Sequence, residues 1–414
     1  MKPYKGEGGT TQQQKKKKKK KKKVRKSGGC GGEGDGDNDV DDCSNVPLTA
    51  LWGVQPPCSD WWDHFSKRIS GHPASGKSRD FRSFFRISRR TFDYICSLVT
   101  GNLLKRPTNL ADFNGSNLSL NDQVAVALMR LSSGKSLQSI GDLFRMNQSS
   151  VSQTTWRFVE AMEEKGLVHL SWPSEEEMQR IKEKFEKIRG LPNCCGAIDT
   201  THILMNLPMV DPANDVWFDK EKKCSMILQG VVDADMRFRD VVTGWPGKLS
   251  DVSVLRSSSL FELCNNGTTL NGKRLYEGAE IGEYVVGDLG FPLLPWLLTP
   301  YKGKALLGLE REFNKRHYAT RMVAKRALAR LKDMWKIIEG VMWMPDRNKL
   351  PRIILVCCML HNIVIDMEDE AQDEVPLAFD HDPGYRQQIC DEADQTGSSL
   401  REKLSLILAE NLPP

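Results

Sequence analysis

Three aspartates are the residues of this sequence best suited to chemistry. Asp199 ends the apolar run CCGAID, Asp288 ends the run EYVVGD, and Asp251 follows the turn GWPGKLS. Hard divalent cations take oxygen ligands, and α/β sheets gather ligands at the carboxyl ends of their strands. Two such cations about 3.5–4 Å apart would drive phosphodiester hydrolysis. Each aspartate also has a structural alternative, Asp251 as a helix N-cap and the others as turn residues, and the spacing does not decide between them.

The pattern around these aspartates predicts an α/β domain at 191–368, because strand-like runs are followed by helical patterns. The predicted strands are 194–199, 224–235, 237–244 and 283–288. The predicted helices are 251–264, 313–338 and a buried, wholly apolar one at 352–367. The three aspartates would then stand at strand ends and at the start of one helix.

Residues 61–190 are predicted to form a helical domain that contains a helix-turn-helix-like segment at 136–163. Two short helical patterns in this segment flank a break at Met146 and Asn147. The second helix of a helix-turn-helix presents polar side chains to DNA. The residues predicted to face outward there, and so to bind nucleic acid, are Gln148, Ser149, Ser152, Gln153 and Arg157. An αα-hairpin that only packs fits the pattern equally well.

The two ends of the chain are predicted to be tails. Residues 1–60 are low in complexity, first basic and then acidic, which favours disorder. The basic run includes Lys15, Lys23, Arg25 and Lys26, and predicts a nuclear localisation signal with an attraction to phosphate. A solvated tail without a specific partner is the alternative. Residues 369–414 are predicted to be an acidic tail with one amphipathic helix near 398–411.

Composition argues against several classes of protein. The 414 residues contain no apolar run of about 18 residues and no apolar stretch near the N-terminus, so we expect neither a membrane span nor a signal peptide. Eleven cysteines are too sparse for a disulfide scaffold and favour a reducing compartment. Residues 61–414 carry 46 basic and 46 acidic side chains, so the net charge of +5 comes from the tail.

Several motifs in a fixed order resemble one family. They are CCGAIDTTHI, VVTGWPGKLSDVSVL, YVVGDLGFPLLPWLLTPY, FNKRHYATRMVAKRALARLK, WKII and VCCMLHNIVID. Over about residues 61–368 the chain is similar to plant Harbinger-type transposases and their domesticated nuclease relatives, in particular the group named for the antagonist of like heterochromatin protein. The resemblance implies an RNase H-like DDE nuclease fold with an N-terminal helical domain.

The resemblance also implies roles for the aspartates. Asp199 and Asp288 match the first and second carboxylates of the family's catalytic triad, and Asp251 matches a further metal ligand. The implied cofactor is a divalent cation, Mg²⁺ or Mn²⁺. The third triad position, a glutamate in the family's long helix, holds Lys325 here. A protonated lysine has no lone pair to offer a metal. We therefore expect nuclease activity to be lost, with Lys325 pairing Asp199 or Asp288 in place of the metal.

The expected function follows from this loss. The chain would be a domesticated, nuclease-dead nuclear protein that acts as an accessory subunit or scaffold in a Polycomb-type or other histone-modifying complex. The resemblance further implies a Myb-like DNA-binding partner, with DNA contacted directly or through it. The alternative is a divalent-metal-dependent nuclease whose site is completed by another carboxylate. A decaying transposon copy with no cellular role is a third hypothesis.

Other candidate ligands give weaker signals. His202 in DTTHI could touch the aspartate site, but a packed strand histidine explains it as well. His361 lies in the apolar helix and is predicted to be a hydrogen-bonded core residue. Cys357 and Cys358 stand near it, but no second ligand pair at zinc spacing completes a site.

Overall fold

The structure is a computed structural model that describes eight stretches of the chain. They are residues 59–70, 80–105, 110–115, 117–207, 212–303, 305–343, 345–368 and 388–410. The lysine run and the acidic segment up to residue 58 lie outside the described residues, as do residues 369–387. The nuclear localisation signal at Lys15–Lys26 therefore stays a prediction.

Seven α-helices precede the first strand of the described chain, and five of them, α2 and α4 to α7, begin at a polar N-cap. They are α1 (Ser59–Ser70), α2 (Phe81–Phe85), α3 (Arg89–Lys105), α4 (Leu120–Ser133), α5 (Leu137–Phe144), α6 (Gln148–Lys165) and α7 (Glu175–Arg189). In α4 the Ser119 hydroxyl accepts from the Asp122 N–H and the Asp122 carboxylate accepts from the Ser119 N–H. This capping box starts the helix, and Gly134 in the left-handed conformation ends it.

The predicted break between two short helices is confirmed. Helix α5 ends before Arg145, which has a φ of 54°, and the Asn147 side chain accepts from the Ser150 N–H at 2.7 Å to cap α6. A Cβ on Gly141 would lie 2.5 Å from the carbonyl oxygen of Met146, so the turn needs glycine there. The two helices and the tight turn agree with the sequence pattern, while a DNA-reading role stays a prediction.

The strands form a mixed sheet with both parallel and antiparallel pairs. Its strands are β1 (Cys194–Asn206), β2 (Ser225–Val232), β3 (Phe238–Pro246), β6 (Tyr284–Val286), β7 (Leu297–Leu298) and β8 (Met342–Trp343), with a separate hairpin of β4 (Lys273–Tyr276) and β5 (Ala279–Gly282). The order is β3-β2-β1-β6-β7, and β8 also pairs with β1. Strand β1 is antiparallel to β2 and parallel to β6. The predicted α/β class is thus confirmed as a mixed α/β fold.

Strand β1 is longer than predicted, and the prediction that it ends at Asp199 is wrong. Residues 200–204 continue the antiparallel pairing with β2, and they include the β-branched Thr200, Thr201 and Ile203, which favour strands. The parallel neighbour β6 does end near its aspartate. Ala197 of β1 pairs with Val286 of β6, and each of the two aspartates stands two residues beyond this pair. The register therefore brings Asp199 and Asp288 to one place.

In the described part of the chain, five α-helices follow the first three strands. They are α8 (Asp251–Arg256), α9 (Ser259–Asn265), α10 (Gly308–Met334), α11 (Leu350–Met367) and α12 (Gln395–Glu410). The single helix predicted at 251–264 is wrong, because the Ser258 hydroxyl accepts from the Phe261 N–H at 3.0 Å and starts a second helix. The long predicted helix and the amphipathic C-terminal helix are both present as α10 and α12.

Helix α11 is the buried apolar helix predicted from the sequence. By length and composition it could cross a membrane, but 67% of that stretch is buried inside the protein, as in a core helix. His361 donates its Nε2–H to the carbonyl oxygen of Met236 at 2.9 Å. Burial lowers the pKa of His361 to about 3, so the ring is neutral. The predicted core role of His361 is confirmed.

Residues Asp60–Pro414 form one compact unit. Side chains of α3, α4, α6, β1, α10 and α11 belong to the same apolar core. The boundary proposed between residues 190 and 191 falls in the loop between α7 and β1. The helices and the sheet thus share one core, and strand β1, which carries Asp199, packs against it.

Candidate functional site

Asp199 and Asp288 face the guanidinium of Arg321 close to the carboxyl end of β6. One oxygen of each carboxylate is held by the local backbone, since Asp199 Oδ1 accepts from the Thr200 N–H at 2.9 Å and Asp288 Oδ1 from the Gly290 N–H at 2.8 Å. The other oxygen of each lies 3.6 Å from Nη1 of Arg321. Asp199 and Arg321 are both buried. The structure therefore brings the two predicted catalytic aspartates together around one guanidinium.

The Asp251 carboxylate lies close to that of Asp288, beside Gly290. It is the first residue of α8, and the alternative that it caps this helix is wrong, because Ser250 is the N-cap. A Cβ on Gly290 would lie 2.6 Å from Asp251 Oδ2 and 3.0 Å from Asp288 Oδ1. The two carboxylates thus converge on a space that glycine leaves open. All three predicted aspartates belong to one acidic pocket, which we define as Asp199, Asp251 and Asp288.

The cation in the acidic pocket is Arg321, and the expected pairing of Lys325 is wrong. Within the part of the chain that the structure describes, Lys325 forms no ion pair with Asp199 or Asp288. Both residues lie on α10, and Lys325 comes one turn later, about 5–6 Å further along the axis. Arg321 is buried, whereas Lys325 is half-buried. The helix therefore delivers the longer, planar guanidinium to the two acids.

His317 and Tyr318, which lie near Arg321 on α10, add no charge to the acidic pocket. His317 is buried and donates its Nε2–H to the Leu298 carbonyl at 3.0 Å, and burial lowers its pKa to about 4. The ring is therefore neutral near pH 7. Tyr318 is 58% exposed, and the Arg321 guanidinium carbon lies 6.0 Å from its ring centre. This contact is at the outer limit of a cation–π interaction.

The acidic pocket does not fit the two-metal centre that the aspartates suggest. Two of its carboxylates share a guanidinium, and the residue one turn further along α10 is a lysine instead of an acid. No group of three His, Cys, Asp or Glu side chains that could hold a metal occurs among the described residues. A divalent cation would have to displace a buried positive charge before it reached these oxygens.

His202 lies further along β1 in a separate polar network. Its Nδ1 is 3.0 Å from Ser225 Oγ, and this hydroxyl donates to Asp219 Oδ2 at 3.1 Å. The carbonyl oxygen of His202 accepts from Lys332 Nζ at 2.9 Å. All four residues are buried. His202 is thus a packed strand histidine, the structural alternative given for it, and Cys357 and Cys358 are buried in α11.

The residues predicted to meet nucleic acid lie on α6 between Gln148 and Arg157. Gln148, Ser149 and Gln153 are exposed, and Ser152 is half-buried. Gln148 donates to the Gln138 side chain, and Ser149 donates to Asn147 at 2.6 Å. Arg157 is half-buried and donates to the Leu103 carbonyl at 2.9 Å, at the end of α3. The exposed members form a polar, uncharged surface.

Sequence reasoning missed the cation of the site. Arg321 precedes Lys325 by four residues, so both occupy one helix face, and this spacing was the available signal. The four-residue spacing does not show which of the two side chains, Arg321 or Lys325, contacts the aspartates. Asp219, Ser225 and Lys332 were also missed, because nothing in the local sequence links three residues that far apart.

Comparisons with known proteins agree with this geometry. Residues 198–362 match the family described as DDE superfamily endonuclease. The chain is 60% identical to an ALP1-like protein of Arabidopsis thaliana over 84% of this chain and 85% of that protein. It is 51% identical to Antagonist of Like Heterochromatin Protein 1 of Arabidopsis thaliana over 83% of this chain and 87% of that protein.

A more distant relative comes from an animal. The chain is 28% identical to HARBI1 of Mus musculus, whose name refers to a nuclease, over 77% of this chain and 87% of that protein. No solved structure matches the chain. From the matched domain and the two plant relatives, the chain belongs to the Harbinger-type, transposase-derived family of DDE superfamily endonucleases.

Proposed function

We propose that this protein is a nuclease-derived protein that no longer hydrolyses DNA and serves as a non-catalytic subunit of a nuclear chromatin complex. The observation that carries the proposal is the acidic pocket with Arg321 between Asp199 and Asp288 and Lys325 at the third family position. The fold proposed for this domain is RNase H-like, which agrees with the mixed sheet and with two aspartates on and just after its neighbouring strands β1 and β6.

The physical argument rests on charge. Two-metal hydrolysis needs carboxylates that hold two cations about 3.5–4 Å apart, so that one activates water and the other stabilises the leaving oxygen. Replacing a glutamate by a lysine at such a site removes one negative charge and adds a positive one. At 4 Å, each unit charge changes the interaction by about 4 kcal/mol for an effective dielectric constant of 20. Arg321 already balances one of the three carboxylate charges of the acidic pocket, so Mg²⁺ gains less there than it would at the same carboxylates without a guanidinium.

The chromatin role is supported by one relative's name, which refers to antagonism of like heterochromatin protein. The nuclear location is supported by the lysine run at Lys15–Lys26. We propose histone-modifying subunits as partners and a Myb-like protein as the DNA-binding component. The pair α5 and α6 remains a proposed helix-turn-helix, with Gln148, Ser149, Ser152, Gln153 and Arg157 as its proposed nucleic-acid residues.

A plasmid-nicking assay tests the loss of catalysis. Supercoiled DNA is incubated with the wild type and with Asp199→Ala, in Mg²⁺ and in Mn²⁺. The proposal expects the two proteins to nick at the same background rate. Nicking by the wild type that Asp199→Ala abolishes would establish the alternative, a metal-dependent nuclease of the same family.

Purification from nuclei tests the subunit role. The full chain is tagged, expressed in plant cells and purified, and the co-purifying proteins are identified by mass spectrometry. We expect histone-modifying subunits in a fixed ratio to the bait. A preparation without chromatin proteins would contradict the proposal and favour a transposon copy with no cellular role.

A further inference from the structure

A small hairpin loop is attached to the turn between α5 and α6. Its described residues, 110–115, 117 and 118, are closed by one antiparallel bridge and by the Leu118 N–H, which donates to the Leu110 carbonyl at 2.8 Å. At its tip, the Phe113 N–H donates to the Arg145 carbonyl at 2.7 Å. The tip of this hairpin loop is therefore fixed beside the turn of the proposed helix-turn-helix.

Phe113 places an apolar ring in solvent at this tip. Its side chain is 66% exposed, whereas Leu110 at the base of the hairpin loop is buried. The tip is an ordered turn, because the Gly115 N–H donates to the Asp112 carbonyl at 3.0 Å and Gly115 adopts a φ of 77°, which suits glycine. A scattered exposed apolar residue is common on protein surfaces. Phe113 differs because a hydrogen-bonded turn holds it next to polar side chains that match nucleic acid.

The surroundings of Phe113 favour DNA as the partner. Arg145 is exposed, and a guanidinium binds phosphate oxygens or a guanine edge. Gln148 and Gln153 are exposed on α6, and carboxamides bind adenine edges. The described residues of the hairpin loop and of 137–149 include two acids, Asp112 and Asp142, and each accepts a hydrogen bond from a neighbouring group of this chain. Little negative charge therefore opposes a phosphate backbone at this surface.

The uncharged surface of α6 needs a further source of affinity. Phosphate contacts by basic side chains supply most of the affinity of DNA-binding proteins, and the exposed residues predicted on α6 carry no charge. Apolar side chains inserted between base pairs from the minor groove supply affinity in another way, because they bend the duplex onto the protein. Phe113 is the exposed apolar side chain of the hairpin loop beside the α5–α6 turn, so it is placed to do this.

We propose that Phe113 is an apolar wedge that enters the minor groove of double-stranded DNA while α6 contacts the adjacent major groove. The inference rests on the proposed helix-turn-helix. Arg145, whose backbone holds the wedge, binds a phosphate at the edge of the groove. A protein partner that covers the phenyl ring is the competing occupant, and the experiment separates the two.

Photo-cross-linking of the full chain tests where the ring lies. The wild type first selects short duplexes from a random pool, at a salt concentration that suppresses binding by the lysine run. The cross-linker p-benzoylphenylalanine is then placed at position 113. The matched control carries it at position 275, since Leu275 is 74% exposed in the hairpin of β4 and β5. We expect DNA cross-links from position 113 at about ten times the level from position 275.

Duplex affinity tests whether the ring contributes to binding. We expect Phe113→Ser to weaken binding of the selected duplexes about tenfold, which is a typical cost for one lost apolar contact. Phe113→Leu keeps an apolar wedge and should retain most of the affinity. Leu275→Ser, the control for losing an exposed apolar side chain, should leave the affinity unchanged. Gln148→Ala with Gln153→Ala should weaken binding through α6.

The possible failures are distinguishable. Equal DNA cross-linking from positions 113 and 275 would overturn the wedge, and so would wild-type affinity in Phe113→Ser alongside weaker binding in the double glutamine variant. In that case the role of α6 stands. Cross-links from position 113 to proteins alone, in nuclear extract with the duplex present, would assign the ring to a protein partner. If selection enriches no duplex, both the wedge and the DNA-reading role of α6 are overturned, while the subunit role is tested separately by purification.

Discussion

Helix α10 brings a buried cation to strand β1 at two places, and the two contacts differ. At the acidic pocket, Arg321 Nη1 lies 3.6 Å from an oxygen of Asp199 and from an oxygen of Asp288, too far for a hydrogen bond. At the other end, Lys332 Nζ donates to the His202 carbonyl at 2.9 Å. The first contact is an ion pair shared by two acids, and the second is a hydrogen bond in a connected network.

The difference shows that the Lys332 end of α10 is held by directed hydrogen bonds, whereas the Arg321 end is not. Lys332, His202, Ser225 and Asp219 meet at ordinary hydrogen-bond distances, so this end is fixed by geometry. Arg321 lies 3.6 Å from one oxygen of Asp199 and of Asp288, so its contact with them is electrostatic and not a directed hydrogen bond. A contact made by charge accepts any cation of suitable size in its place, whereas a directed hydrogen bond does not. Variants at the two ends should therefore respond differently to Mg²⁺.

The largest effect is expected at Arg321. Arg321→Met leaves the buried carboxylate of Asp199 and the half-buried one of Asp288 without this cation, and breaking a buried pair costs about 3–5 kcal/mol. Urea unfolding should show the loss, and millimolar Mg²⁺ should restore part of it by binding the freed oxygens. Wild-type stability in this variant, with no response to Mg²⁺, would show that Arg321 does not neutralise the pocket.

Lys332→Met should cost about 2 kcal/mol, because the ammonium hydrogen bond to the buried His202 carbonyl is lost. The same unfolding experiment should show no recovery with Mg²⁺, since a metal cannot replace this directed donor. Recovery equal to that of Arg321→Met would remove the distinction between the two ends.

The free energy of unfolding should decrease as the pH is lowered, because His361 and His317 are buried in their neutral form. Burial lowers the pKa of these rings to about 3 and about 4, below the value of 6.5 in the unfolded chain. The unfolded chain therefore binds protons first, so their contribution is full above pH 6.5 and is lost as the pH falls toward 4. We expect about 1 kcal/mol per histidine for each pH unit between 6 and 4.

Unfolding in urea at pH 7, 6 and 5 measures this slope. His317→Gln should reduce the slope by the share of one histidine, while leaving the response of Arg321→Met to Mg²⁺ in place. An unchanged slope in His317→Gln would mean that this ring is not held neutral by burial.

The smallest effect is expected at Gly290. A Cβ there would press against Asp251 and Asp288, so Gly290→Ala should cost about 1 kcal/mol by crowding. Because the carboxylates must separate, the variant should weaken the Mg²⁺ response when combined with Arg321→Met. Gly340→Ala is the control, because Gly340 lies in open space and, like Gly290, has no positive φ.

Much of the acidic pocket followed from the sequence, for identifiable reasons. Apolar runs that end near aspartates predicted that Asp199 and Asp288 come together at strand ends, and the parallel register of β1 and β6 does bring them side by side. The extension of β1 beyond Asp199 was missed because a polar residue inside a strand looks like its end. The choice of Arg321 over Lys325 was missed because helix periodicity gives the face of a residue and not its depth.

Calorimetric titration of Mg²⁺ into the full chain tests the central claim most directly. The wild type, Lys325→Glu and Arg321→Met with Lys325→Glu are compared at pH 7.5. We expect no saturable binding by the wild type and a gain of about 100-fold or more in affinity for the double variant, which removes both positive charges. Tight, two-site Mg²⁺ binding by the wild type would contradict the account.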